Sequence, residues 1–417
     1  MSFRFLKKPI FTGFEPNATW RDVSIASSYL FFPWKWVNLR YGKSGIKAKA
    51  WLQSYFKGSN AFLLDSGRSA LFVALKALDI KPGDEVLIQG YTCVVVTNAI
   101  RWAGGIPVYV DVQNDFNMDP TDLQKKITEK SKILIIQHTF GVPAPVKQLL
   151  TIAEAHNIRV IEDCAHSLGT MYDDQLTGTL GDIGMFSFGS DKVVSCVRGG
   201  ALITKDNTIA LRIDSLLQRL YPSPRLLIIR QLLHYPIFAF SKPLYWLGVG
   251  KIVLGFAKKI HLTTRIISEE EKRGKQLLPY PTLLPNALAD VLCNQLEQLD
   301  KINRHRQTIA EKYSQAIQNK HILPNVQKGS IYLRYPLLVS NPDVLHAKAK
   351  KEGIILGDWY TTVIAPKDIL ESGTGYQNGS CPNAEVLSKK SLNLPTHQGI
   401  REVDIERIVR IINTYTE

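Results

Sequence analysis

The chain has 417 residues, 45% hydrophobic and 21% charged, with 28 Gly and 21 Pro. That composition excludes fibrous and disordered classes and leaves material for two or three domains with buried cores. Lys and Arg number 51 against 37 Asp and Glu, a net charge of +14, which favours anionic partners such as phosphates, acidic membrane surfaces or nucleic acid without choosing among them.

The N-terminal segment 1–60 opens with basic residues at Met1–Pro9 but has no apolar stretch of signal-peptide length, so export is not expected. The five cysteines, Cys93, Cys164, Cys196, Cys293 and Cys381, are scattered and never spaced C-x-x-C. They give neither a disulfide framework nor a zinc spacing, and a reducing cytoplasm is the expected home. The string Gly42–Ser44 has the GKS of a P-loop, but Val37 stands where that motif needs its first glycine.

From about residue 60 to 205, short β-branched runs alternate with segments of helical period. Strands are predicted at Glu85–Ile88, Pro107–Val112, Lys132–His138, Arg159–Asp163, Met185–Phe188 and Ala201–Thr204. Helices are predicted at Ser69–Leu78, Val94–Ala103, Pro120–Glu129 and Pro145–His156. That rhythm predicts an α/β domain, over 61–285, with a mostly parallel sheet covered by helices on both faces. Ligands of such sheets sit beyond the carboxyl ends of the strands.

Within this domain, 215–265 changes character. It carries eight positive charges, from Arg219 to Arg265, and no Asp or Glu. Lys242 and Lys251 cut its apolar run into pieces shorter than the roughly 20 residues of a spanning helix. Two readings remain: a segment lying on an anionic bilayer, or a buried helical insertion or dimer contact. Glycines 248, 250 and 255 miss the G-x-G-x-x-G spacing, so no dinucleotide fingerprint is present. Beyond Pro285 an apolar stripe from Ala287 to Ile302 predicts one long amphipathic helix. It leads into a smaller α+β unit over 286–417, with a strand at Ile331–Val339 and a final helix at Glu402–Tyr415.

Three features fall at predicted strand ends. Asp163 closes RVIED, Ser187 and Lys192 flank the loop of FSFGSDK, and Ser66, Gly67, Arg68 and Ser69 stand where a loop turns into a helix. A glycine with small hydroxyl residues there offers N–H groups and the positive end of the helix dipole to a phosphate. A phosphate cradle, a carboxylate and an amine on neighbouring loops are what pyridoxal 5'-phosphate (PLP) requires. Glu162 beside Asp163 is not a glycosidase pair, because adjacent strand residues face opposite ways. His138 and His156 lack partners at metal-ligand spacing, so no metal is expected.

These strings also resemble a known family. DSGRSALFVALKAL, KPGDEVLIQGYT, VIEDCAHSLGT, GDIGMFSFGSDK, GGALIT and NQLEQLDKINRHRQTIAEKY, in that order, are similar to the DegT/StrS family of PLP-dependent sugar aminotransferases. The resemblance implies the fold-type I aminotransferase architecture and a homodimer. It also implies transfer of an amino group, from L-glutamate as donor, to a keto-sugar linked to a nucleotide, in amino-sugar or surface-polysaccharide biosynthesis. Carried over by residue, Lys192 would be the Schiff-base lysine and Asp163 the partner of the pyridine nitrogen. His166, where the family usually has glutamine, would lie near the phenolic oxygen. Gly67, Arg68 and Ser69 would form the phosphate turn, Ser187 a second phosphate contact, and Asn286 a contact to the neighbouring subunit's phosphate.

The chain departs from the family in three places. Cys93 stands where an aromatic residue usually stacks on the ring, Arg68 replaces a threonine and could add charge at the phosphate, and the insertion 215–265 is atypical. Two other readings are a PLP-fold sugar dehydratase, against which Lys192 speaks because that branch carries histidine there, and a non-catalytic membrane-surface or nucleic-acid-binding module on the same scaffold. Nucleic acid is the less expected partner; contact with the inner face of a membrane through 215–265 is kept.

Overall fold

The computed structural model describes residues 8–13, 17–245, 247–260, 262–263, 267–276, 279–324, 327–369 and 373–416. Arg265 of the basic stretch and Met1–Lys7 of the N-terminal segment lie outside them.

A seven-stranded sheet organises the larger part of the chain. In spatial order its strands are Asn60–Leu64, Gly200–Thr204, Ile183–Ser187, Arg159–Asp163, Ser131–Gln137, Glu85–Gln89 and Ile106–Val110. Gly200–Thr204 runs antiparallel to both neighbours, and the other pairings are parallel. Along Ser131–Gln137, Ile133 and Ile135 pack into one apolar cluster while Leu134 and Ile136 pack into another. Strand residues alternate faces, so both faces are buried, which is why the run reads as continuously apolar. The first strand, Asn60–Leu64, is absent from the sequence reading because its short NAFLL run opens on a polar residue and has no clear alternation.

The stripe after Pro285 forms two helices, Asn286–Leu296 and Leu299–Ala316, rather than one. The break is chemical: the Gln298 side-chain amide donates to the Asn294 carbonyl (3.0 Å), and the Gln298 backbone N–H turns instead to Gln295 (3.1 Å). The first of these helices is tied to helix Trp20–Phe31 through Asp22, a fully buried carboxylate that accepts from Asn294 (2.7 Å) and Gln295 (2.6 Å). In the C-terminal part, Arg334–Leu338 pairs antiparallel with Ser391–Pro395. An apolar cluster containing Tyr313, Leu337, Leu392 and Ile408 joins this pair to its helices, the last of them Glu402–Tyr415.

The basic stretch folds into helices Arg225–Leu244 and Val249–Lys259, packed on each other, with the first also packed on Trp20–Phe31. Ile228, Leu232 and Tyr235 enter the core, as the buried-insertion reading expects. No described helix is long and apolar enough to cross a membrane.

Candidate active site

Register brings the pieces of the site together. Gln137 is paired with Asp163, and Asp163 with Met185, so the parallel strands deliver Gln137, Asp163 and Ser187 to one carboxyl edge. The antiparallel strand begins at that edge, with Gly200 opposite both Ser187 and Leu64. Leu64 leads through Asp65 and the N-cap Ser66 into helix Gly67–Ala77, whose N-terminus is thereby set beside Ser187. A Cβ on Gly67 would lie 2.8 Å from the Ser187 Cβ, and one on Gly200 would collide with the Ser66 carbonyl. Both positions need glycine for this close approach.

A cavity of about 1290 Å³ opens above these ends, and Gly67, Arg68, Asp163, His166, Ser187 and Lys192 all line it. Lys192 stands on a turn closed by its N–H on the Gly189 carbonyl (3.1 Å), while the Asn17 side chain donates to its carbonyl (2.5 Å). Burial pushes the Lys192 amine below the ordinary lysine range, opposed by the nearby charges of Asp163, Cys93 and Asp191. The Asp163 carboxyl is raised by burial, opposed by the Ala165 N–H (3.0 Å) and by the charges of Lys192 and His138. His166 is held well below the ordinary histidine range, first by burial and then by Lys192 and Arg334. Its Nδ1 accepts from the Phe140 N–H (3.3 Å), so the proton of the neutral ring is on Nε2.

Two residues of the sequence reading lie elsewhere. Ser69 is buried and outside the cavity lining, its N–H donating to the Ser66 cap (3.3 Å). Asn286 is buried away from the cavity of its own chain. Its amide donates to Tyr29 (3.3 Å) and Asn38 (2.8 Å) and accepts from the Ser44 N–H (2.9 Å). Arg68 is ion-paired with Glu271, which is itself buried, so the extra charge it could bring to a phosphate already has a counter-ion. Cys93 lines the cavity as expected, with its thiol pushed up by burial.

The structure also adds groups that the sequence reading missed. Trp359 reaches the cavity from the C-terminal part: its ring centroid is 5.1 Å from Lys192 Nζ, and the ring stacks on His166 at 5.1 Å and 14°. Arg334 backs the same ring at 3.4 Å. His234 and Phe238, stacked at 4.0 Å, bring the atypical insertion to the cavity wall. Arg198, in the loop that carries Lys192, lines the cavity with Nε and Nη2 buried and without hydrogen-bond partners. Trp359 and Arg334 have no local signal, because tertiary folding alone brings them here; Arg198 could have been noticed in the string KVVSCVRGG.

The buried trio His138, Glu162 and Cys164 has metal-ligand atoms within 4.8 Å of one another. His138 is already engaged at both nitrogens, by the Ala144 N–H (3.1 Å) and Glu162 (3.2 Å). Glu162 further accepts from the Gly178, Leu180 and Gly181 N–H groups at 2.7–2.9 Å. Protein groups thus already engage the ligand atoms of His138 and Glu162.

PLP fits these residues. A glycine-lined helix N-terminus and a buried guanidinium with unmet N–H groups suit a phosphate, while Asp163 and Lys192 suit the ring nitrogen and the aldehyde carbon.

The sequence model of the DegT/DnrJ/EryC1/StrS aminotransferase family matches residues 38–219 and 257–413. The unmatched 220–256 contains helix Arg225–Leu244 of the insertion. The chain is 38% identical over 150 residues to a GDP-perosamine synthase of Escherichia coli O157:H7, covering 36% of this chain and 41% of that protein. It is 27% identical over 352 residues to a UDP-N-acetyl-3-dehydro-alpha-D-glucosamine 3-aminotransferase of Acidithiobacillus ferrooxidans, covering 83% and 82%. Among solved structures, Helicobacter pylori PseC, an aminotransferase of pseudoaminic acid biosynthesis, superposes with a TM-score of 0.76 at 17% identity, covering 98% and 99%.

Proposed function

We propose that this chain, which belongs to the DegT/DnrJ/EryC1/StrS aminotransferase family, uses PLP to move an amino group from L-glutamate to a keto-sugar carried on a nucleotide. The observation that carries the proposal is the convergence of Lys192, Asp163, Ser187 and the N-terminus of helix Gly67–Ala77 on one cavity. Family membership makes it a sugar aminotransferase; the names of the relatives, one GDP-linked and one UDP-linked, support the nucleotide-linked acceptor.

Bound PLP would supply the electron sink and the carrier of the amino group. The Gly67 and Arg68 N–H groups and the Ser187 hydroxyl would hold its phosphate, aided by the helix dipole. Asp163 would hold the proton on the ring nitrogen. A pyridinium beside it favours the ionised carboxylate, against the upward push of burial. His166, with its proton on Nε2, would donate to the phenolic oxygen. Lys192 Nζ, beside the ring's aldehyde carbon, would be the base that takes the donor's α-proton and the acid that gives it back. Its lowered pKa favours the basic form of the amine for that role. Trp359 and the insertion residues His234 and Phe238 form part of the cavity wall.

The test is a half-reaction: purified protein mixed with L-glutamate should lose its yellow absorbance and release 2-oxoglutarate, and a nucleotide-linked keto-sugar should restore it. No spectral change with glutamate or any other amino donor would reject the proposal.

The insertion supports a second reading, about location. On Val249–Lys259 and its C-cap, residues Val249, Ile252, Val253, Phe256 and Ile260 are exposed. At 100° per residue they form one stripe, bordered by exposed Lys259, while exposed Lys251 and Lys258 lie on the far side of the helix. A stripe of this kind with a lysine at its edge suits the headgroup layer of an anionic bilayer. The homodimer implied by the family is part of the same proposal. For Asn286 to serve a neighbour's phosphate, its side chain would have to release Tyr29, Asn38 and Ser44.

A further inference from the structure

Arg198 is 8% exposed, and two of its three guanidinium nitrogens are buried without a hydrogen-bond partner. Its guanidinium carbon lies 4.7 Å over the Tyr280 ring. A cation–π contact is weak and accepts no fork of N–H bonds, so it does not offset the burial of an unpaired charge. Arg68 has Glu271 as its counter-ion; no ion pair of this kind is made by Arg198 among the described residues. Asp65, whose charge acts on Arg198 and Arg68, accepts from the Thr282 N–H through one oxygen (3.0 Å) and makes no hydrogen bond to Arg198 with the other. The guanidinium is therefore waiting for an anion.

Position says where that anion sits. Arg198 stands two residues before Gly200, the residue opposite Leu64 and Ser187 and in contact with Ser66 at the start of helix Gly67–Ala77. It lines the same cavity as Gly67 and Ser187. Arg334, by contrast, lies against Trp359 at the lysine end. We infer that Arg198 is a phosphate-binding residue, closing the seat formed by Gly67, Ser187 and the helix N-terminus around a phosphate group with two charged N–H donors. Under the cofactor reading above, on which this rests, that group is the phosphate of PLP; the diphosphate of a sugar nucleotide carries the same chemistry.

The experiment uses the full chain freed of cofactor, as wild type, R198Q and R198K. Each is titrated with PLP, with pyridoxal, which lacks the phosphate, with inorganic phosphate and with a nucleoside diphosphate. The expected result is that R198Q weakens PLP about tenfold or more, the scale of a charged hydrogen-bond pair, with R198K intermediate. Pyridoxal should stay within about twofold of wild type, which also shows that the variant is folded, and inorganic phosphate should compete with PLP on wild type but not on R198Q. Equal PLP and phosphate affinities in all three proteins would overturn the inference. So would an equal loss for pyridoxal, which marks a merely structural role, or a loss confined to the nucleoside diphosphate. Phosphate binding that depends on Arg198 in a protein that never takes up PLP would sustain the anion seat and defeat the cofactor reading.

Discussion

The Lys192 amine lies 5.1 Å from the centre of the Trp359 indole ring, although the two residues come from opposite parts of the chain. The indole is part of the apolar surround that keeps water off the amine. Burial lowers the Lys192 pKa, so opening that wall must raise it toward the ordinary lysine value. Trp359→Ala is therefore expected to shift the pH profile of PLP uptake upward and to slow uptake at neutral pH by roughly tenfold, because the neutral amine is the reactive form. Stopped-flow absorbance across pH checks this; an unchanged profile would contradict it.

Asp163 acts on the same amine with the opposite sign, since its charge raises the Lys192 pKa. Asp163→Asn removes that charge, so the uptake profile should move to lower pH. Turnover should nevertheless fall by roughly 10²–10³, the usual loss when a preorganised charge is removed from a site. Opposite movements of the pH profile and the rate separate this role from a general loss of structure.

Glu162 points away from the cavity and should matter to stability instead. Burial would raise its pKa, but the bonds from His138, Gly178 and Gly181 prevail and hold it below the ordinary 4.5. A depressed carboxylate contributes stability that is present above its unfolded value and lost as pH falls through the folded one. Glu162→Gln should cost about 2–4 kcal/mol near neutral pH, because the amide has one acceptor oxygen where the carboxylate has two, which sets an NH2 donor against at least one of the three N–H groups. The gap from wild type should shrink as pH drops below 4.5. Denaturant melts over that range measure it.

The stripe on Val249–Lys259 is tested by flotation with vesicles. Wild type should float with anionic but not neutral vesicles, and less so at high salt. The pair Ile252→Glu and Phe256→Glu, both exposed, should abolish flotation without changing the glutamate half-reaction. Deleting the whole insertion is a poorer test, since His234 and Phe238 wall the cavity. Flotation that survives the pair would reject the membrane reading, and a shift in oligomeric state would assign the stripe to a second copy.

Much of the site was legible because a parallel sheet gathers the ends of its strands. Once RVIED and MFSF read as strands, Asp163 and Ser187 had to emerge at one edge, and Lys192 had to follow on the adjoining loop. What sequence could not show depends on distance along the chain. Nothing in the string GDWYTT says that Trp359 will cover a lysine 167 positions away, and nothing around Arg68 says that Glu271 will neutralise it. The break at Gln298 was equally hidden, since the apolar period runs through it and only a side-chain amide competing for the Asn294 carbonyl interrupts the ladder.

A covalent hold on PLP by the Lys192 amine underlies the proposed chemistry. Borohydride reduction of the purified protein, followed by digestion and mass spectrometry, is predicted to leave a phosphopyridoxyl group on the peptide containing Lys192, and none in Lys192→Ala. The absence of that adduct in protein saturated with PLP, or its appearance on another lysine, would contradict the account.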